Sequence, residues 1–154
     1  LSEGDKEQVI EDCRELTDTI YDGLDLAGEI RAIDAQGLGD TLLLWDDARL
    51  VGFAACHVGA GTEAGSGACY IKFGAIQPGN NAGENFERLL DACEALAATL
   101  GAQLLTAGAN IGRHEAYRAL LARGFRTDIQ GVTMHRSNDP GYSQPGVYVI
   151  DDWR

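Results

Sequence analysis

Residues 75–90 read AIQPGNNAGENFERLL: an apolar strand end, a proline and a run of small residues lead directly into an amphipathic helix. Backbone amides at the start of a helix point outward and carry the positive end of its dipole, so this layout suits a loop that wraps a phosphate. The loop holds no Lys or Arg, and Glu84 stands where an anion would dock. The competing reading is an ordinary helix start, with an asparagine cap and an acidic residue matched to the dipole. Local sequence leaves both open. Of the three histidines, His57 closes an apolar strand and is a candidate general base, since imidazole titrates near neutrality and can take a proton from an ammonium directly or through water. The alternative is a polar strand-end residue. His114 stands beside Glu115 on an expected surface helix, and His135 falls on an expected hairpin.

Other motifs narrow the chemistry by failing. GAGTEA (59–64) matches the dinucleotide fingerprint G-x-G-x-x-A, but that fingerprint needs a helix immediately afterwards and the apolar run ACYIKFGAI follows instead. The stretch reads as a flexible hairpin loop. Cys13, Cys56, Cys69 and Cys93 form no C-x-x-C pair and lie in apolar stretches, so reduced core thiols are expected. There is no Ser-His-Asp order and no metal-ligand spacing. Twelve basic residues face 24 acidic ones, a net charge of -12, which disfavours nucleic acid and anionic membranes as partners and favours a cationic amine. No apolar run approaches the roughly 20 residues of a membrane span. The start, LSEGDKEQ, has no apolar core of a signal peptide, so a cytoplasmic location is expected.

These residues must be held by a fold, and the patterning supplies one. Asp5 and Gln8 resemble a capping box, and Val9, Ile10, Cys13, Leu16 and Ile20 recur at helical spacing, so a helix is expected over about 5–20. A weaker helix follows over about 25–36. TLLLW (41–45) and LVGFAACHV (50–58) read as a hairpin, and 68–76 as a third strand. Phe86, Leu89, Leu90, Cys93, Leu96, Ala97 and Leu100 trace one face of a long helix ended by Gly101. QLLTAGA (103–109) reads as a short buried strand, 113–123 as a helix stopped by Gly124, and 125–129 with 132–136 as a last hairpin around Gly131. VYVIDDWR offers one more edge strand. The expected class is α+β, a mixed, mostly antiparallel sheet flanked by about four helices, with a strand–loop–helix–strand crossover over 68–109.

The strand ACYIKFGAI, the loop QPGNNAGEN, the helix FERLLDACEALAATLGA, the strand ending at Asn110, and HEAYRALLARGF followed by a hairpin resemble the GCN5-related N-acetyltransferase (GNAT) superfamily over residues 5–136. The resemblance implies a GNAT fold and transfer of an acyl group from acetyl-CoA, as cosubstrate, to an amine of a small molecule or peptide, with no metal. It implies two strands that splay apart to form a slot for the pantetheine arm, and a loop whose amides hold the pyrophosphate. It places cofactor contacts at Gly74, Ile76, Asn81, Ala82, Gly83, Glu84, Asn85, Asn110 and Tyr117. Gly74 would supply the oxyanion-stabilising amide, with glycine permitting a strand bulge; Tyr117 would protonate the leaving thiolate; His57, on its own chemistry and not through the resemblance, is the candidate base. Counting back from Gly124-Phe125 puts the acid at Leu120 instead, and Tyr117 has a competing reading as a core aromatic.

The loop departs from the family pattern. Aligned on Pro78, Asn81 falls on the Arg/Gln position, and Ala82, Glu84 and Phe86 on the small positions, where a missing Cβ lets backbone approach phosphate. A carboxylate about 4 Å from a phosphate charge costs about 1 kcal/mol in water and roughly 4 at an effective dielectric near 20. Gly79 and Gly83 still offer amides, and Lys72 and Arg88 are candidate compensating charges. The alternative function is a catalytically inactive GNAT-like binding or assembly module, one lobe of a tandem-domain protein. The family's first strand has no counterpart in LSEG, so residues 1–136 are expected to form a domain whose first strand is missing or supplied elsewhere. Residues 137–154 would be a linker and edge strand. An open sheet edge points to a homodimer or a tandem-domain partner.

Overall fold

A computed structural model describes residues 2–134, 137 and 141–151. Along the chain come α1 (Glu3–Asp18), α2 (Ala27–Gln36), β1 (Gly39–Asp46), β2 (Arg49–Gly59), β3 (Gly65–Ile76), α3 (Ala82–Thr99), β4 (Leu104–Ala107), α4 (His114–Ala122) and β5 (Val149–Ile150). The class is α+β, with helices on both faces of a mostly antiparallel sheet. β1 with β2 and β2 with β3 pair antiparallel, and β4 pairs parallel with β3 over Ala68–Ile71.

Local chemistry sets the element ends. The capping box at α1 is Ser2–Asp5, not Asp5–Gln8. Ser2 Oγ accepts the Asp5 N–H at 3.2 Å, and the Asp5 carboxylate accepts the Ser2 N–H at 3.0 Å. The helix therefore starts earlier than the apolar periodicity indicates, because capping is decided by hydroxyl and carboxylate reach. Gly37 ends α2 at φ 63°, a left-handed cap that a Cβ would strain.

Alternation along the central strands divides the core in two. Phe53, Ala55, Phe73 and Ala75 face α1 and α2, while Ala54, Cys56, Cys69 and Ile71 face α3 and α4. β2 and β3 are covered on both sides, which explains their near-continuous apolar sequence. All four cysteines are free and buried, and burial pushes the Cys13 thiol up to about 12.

Two expectations fail at the far edge. The strand after α3 is not buried: Leu104 is 58% exposed, and β4 is a four-residue edge. The hairpin expected over 125–136 does not form. Residues 125–134 carry no strand, with Ile129, Val132 and Met134 exposed, and 135–136 lie outside the described residues. Strand-forming side chains need a ladder, and the position alongside β3 that a returning strand would take is filled by β5.

The last turn of α4 is tied to α3 by one cation. Arg123 bonds Glu87 at 2.9 Å, Asp91 at 2.7 Å and Glu94 at 2.9 Å, and its side chain is only 17% exposed. Arg123→Ala is expected to cost about 1–2 kcal/mol, because it strands three carboxylates on one helical face. Urea midpoints compared at low salt and at about 0.5 M salt check this, with part of the loss recovered as repulsion is screened.

Candidate functional site: a split sheet closed by the C-terminal segment

β3 and β4 pair only from Ala68 with Leu104 to Ile71 with Ala107. Beyond that point β3 continues to Ile76, while the chain after β4 turns away through Gly108 towards α4. Parallel strands that part in this way expose backbone donors and acceptors on their facing edges. The chain's own C-terminal segment satisfies them. β5 pairs antiparallel with β3, Ile150 opposite Gly74 and Val149 opposite Ala75. The Ile76 N–H donates to the Tyr148 carbonyl at 3.0 Å, and the Asp151 N–H donates to the Gly108 carbonyl at 3.0 Å. The segment expected as an edge strand thus lies inside the sheet. Val149 joins the α1/α2 core and Ile150 the α3/α4 core, both fully buried.

Several contacts outside the strand hold this segment. Tyr142 packs edge-on to Tyr21 at 5.8 Å, and its hydroxyl donates to the Asp151 carboxylate. Arg113, fully buried at the start of α4, lies 5.4 Å from the Tyr142 ring centre and donates Nη2–H to the Asp151 carbonyl at 2.8 Å. Burial lowers the Arg113 pKa from its ordinary value, opposed by Tyr142 and Asp151. The Gly146 N–H donates to Glu115 at 2.8 Å. A Cβ on Gly112 would stand 2.7 Å from the Ser143 carbonyl, so only glycine lets the segment cross there.

The mouth of the gap is the start of α3. Tyr148 packs against Phe86 with ring centres 5.2 Å apart and planes tilted by 49°, and its hydroxyl would meet a Cβ on Gly83 at 3.1 Å. Burial, followed by the carboxylates of Glu115 and Glu87, raises the Tyr148 pKa. An aromatic side chain therefore sits over the amides that the loop would offer to an anion.

The candidate residues divide into those lining this gap and those remote from it. Gly74 and Ile76 lie on β3 at the gap itself, and their edge is paired with the C-terminal segment. The β3 bulge falls at Lys72, opposite Ala55–Cys56, and not at Gly74. A Cβ at Gly74 would meet Ile150 at an ordinary 3.5 Å. Ala82 and Gly83 open α3, while Asn81 and Glu84 are exposed. Asn81 occupies the cap position but makes no side-chain cap bond, which corrects the asparagine-cap expectation. Asn85 is 9% exposed, and its side-chain amide oxygen Oδ1 accepts from Arg88 at 3.0 Å. Asn110 accepts the Gly112 N–H at 2.8 Å, closing the turn into α4. Tyr117 is half-buried on α4, and Leu120 is buried in the α3/α4 core.

His57 lies apart from these. It pairs opposite Tyr70, roughly 13 Å along β3 from Gly74, and faces α2. Its ring is 3% exposed, with Nε2 2.9 Å from Glu29 and Nδ1 buried without a partner among the described residues. His57 and Tyr117 thus belong to opposite sides of the sheet. Lys72 is in the same α2-side cluster, 3.3 Å from Glu29 and paired with Glu63. Burial works against its ammonium, but Glu63 and Glu29 more than offset that and raise its pKa. Lys72 therefore does not serve the α3 loop, and Arg88 bonds Asn85. A depression of about 250 Å³ between α1 and the β1–β2 turn, lined by Asp12, Glu15, Trp45 and Arg49 among others, contains none of the candidates. Among the described residues, no helix is long and apolar enough to cross a membrane, and no cluster of His, Cys, Asp and Glu is arranged to hold a metal.

The residues that define the closed gap, Arg113, Tyr142, Tyr148 and Asp151, are not among the sequence candidates. The signal that could have found them is the strand character of VYVID next to a turn-rich stretch with two prolines. Comparison with known proteins gives the fold a counterpart. No protein-family profile and no curated protein matches the chain. The chain is similar in structure to a mutant of TTHA1254 from Thermus thermophilus, with a TM-score of 0.61 at 20% identity, over 84% of this chain and 91% of that one. At that identity the likeness carries the fold alone.

Proposed function

We propose that the chain is a catalytically silent, GNAT-like binding or assembly module, whose slot for an acyl-CoA arm is occupied by its own C-terminal strand. The observation that carries this reading is the pairing of Tyr148–Ile150 with Gly74–Ile76, on the edge where a pantetheine arm would lie. The loop agrees with it: Tyr148 covers the α3 amides, Glu84 adds negative charge there, and Lys72 is engaged elsewhere. The separated positions of His57 and Tyr117 also agree. Titration of the intact protein with acetyl-CoA is expected to release no heat up to about 1 mM, a threshold of roughly 4 kcal/mol. Saturable binding tighter than about 100 μM would overturn the reading.

One observation favours a second reading. β3 and β4 do part at Ile71 and Ala107, the layout that an acyl-CoA-dependent N-acyltransferase requires. In that reading the C-terminal segment leaves before acetyl-CoA enters, the Gly74 amide stabilises the oxyanion, and Tyr117 or solvent protonates the thiolate. The acceptor would be an amine, drawn by the net charge of -12.

A further inference from the structure

We infer that the gap between β3 and Gly108 is a strand-accepting site whose resident, residues 142–151, is displaceable, and that it takes in its place an extended peptide carrying two adjacent apolar side chains. The inference goes beyond the proposed silence towards acyl-CoA, since it concerns a different ligand.

The resident segment shows what the site recognises. Main-chain bonds on both sides, to Ile76 and to Gly108, read an extended backbone and no particular side chain. Val149 and Ile150 fill one position in each core cluster, so two apolar side chains on alternate faces are selected. The next position is read through its backbone: Arg113 donates to the Asp151 carbonyl, whereas the Asp151 carboxylate is bonded by Tyr142, which belongs to the resident and leaves with it.

Two further observations separate this strand from the permanent sheet. It has only two ladder residues, against eight paired positions in the β2–β3 register. Residues 125–134, which follow α4, form no helix or strand, so they add no ladder to hold the segment in place. The closed state also leaves Arg113 fully buried with Nε and Nη1 unpartnered among the described residues. Buried donors without acceptors are unfavourable, and opening returns them to water. The closed form is thus built with an opposing element inside it.

Native-state hydrogen exchange on the intact protein tests the first half of the inference. The Ile76 and Asp151 amides are expected to exchange about a hundredfold faster than amides of the β2–β3 ladder, through a local opening. Exchange of both at the ladder's rate would overturn the proposal, because the segment would then leave only when the whole fold does. A fluorescent peptide GVYVID, the sequence of residues 146–151, tests the second half. It should bind saturably, and Tyr142→Phe, which loosens the resident segment and removes no buried volume, should raise the apparent affinity about tenfold. Absence of uptake by a Tyr142→Phe protein with an intact β2–β3 ladder, or equal uptake of a scrambled peptide, would also overturn it. No acyl-CoA is present in either measurement, so failure here and failure of the proposed function are read separately.

Discussion

Phe73→Ala is expected to destabilise the protein by about 3–5 kcal/mol, read as a shift in urea midpoint at unchanged slope. Phe73 is fully buried, its ring centre is 5.6 Å from that of Phe53, and the pair sits where β2 and β3 meet α1 and α2. Truncation removes apolar contact and leaves a cavity that flanking strands cannot collapse to fill, since both are held by their ladder. Phe73 also follows the bulge at Lys72, so it sets the point at which β3 resumes its alternation. The matched control is Leu104→Ala on the exposed side of β4, expected to change stability by less than about 0.5 kcal/mol. Equal losses at the two positions would contradict the division into a sheet core and an uncovered edge.

Most of the scaffold was legible because it depends on patterns local to each segment. The apolar face from Phe86 to Ala97 predicts α3, and the run LVGFAACHV predicts a strand, which β2 is. Gly37, Gly101 and Gly124 mark helix ends that the structure keeps at positive φ. The last third was harder to read for the same reason. FRTDIQGVTM has as much strand character as VYVI, yet only the latter forms a strand, because it alone finds a free edge at Gly74–Ile76. Nothing local to either segment encodes whether an edge much earlier in the chain is vacant.

The candidate site was legible on one side only. The β3 edge and the α3 start are local features, and Gly74, Ile76 and Gly83 lie beside the gap. Arg113 and Asp151 are 38 residues apart, with Tyr142 between them in the chain, and no spacing rule joins the three. His57 was legible only as a histidine at the end of an apolar strand. That α2 folds over it and Glu29 meets its ring, making it part of a buried polar cluster, depends on a helix 28 residues earlier in the chain.

Ile150→Lys should separate the roles of the C-terminal strand. Ile150 is fully buried against the α3/α4 core, beside Ile71 and Gly74. An ammonium there meets no described acceptor, and the guanidinium of Arg113 lies on the next residue's carbonyl. Burying an unpaired charge costs more than about 4 kcal/mol, which exceeds what a two-residue strand gains by docking. The segment is therefore expected to leave, not to carry the charge inward, and the loss in global stability is limited to the energy of its docking. The measured signature would be rapid chymotryptic cleavage at Tyr142 and Tyr148, with β2–β3 amides still protected from exchange. Collapse of that ladder together with the tail would mean that β5 is as integral to the sheet as β2. With the ladder retained, the same protein distinguishes the two functional readings. An emptied gap that still ignores acetyl-CoA leaves a module whose α3 loop has lost phosphate recognition through Glu84 and Phe86. An emptied gap that binds acetyl-CoA makes the C-terminal strand the element that keeps a transferase silent.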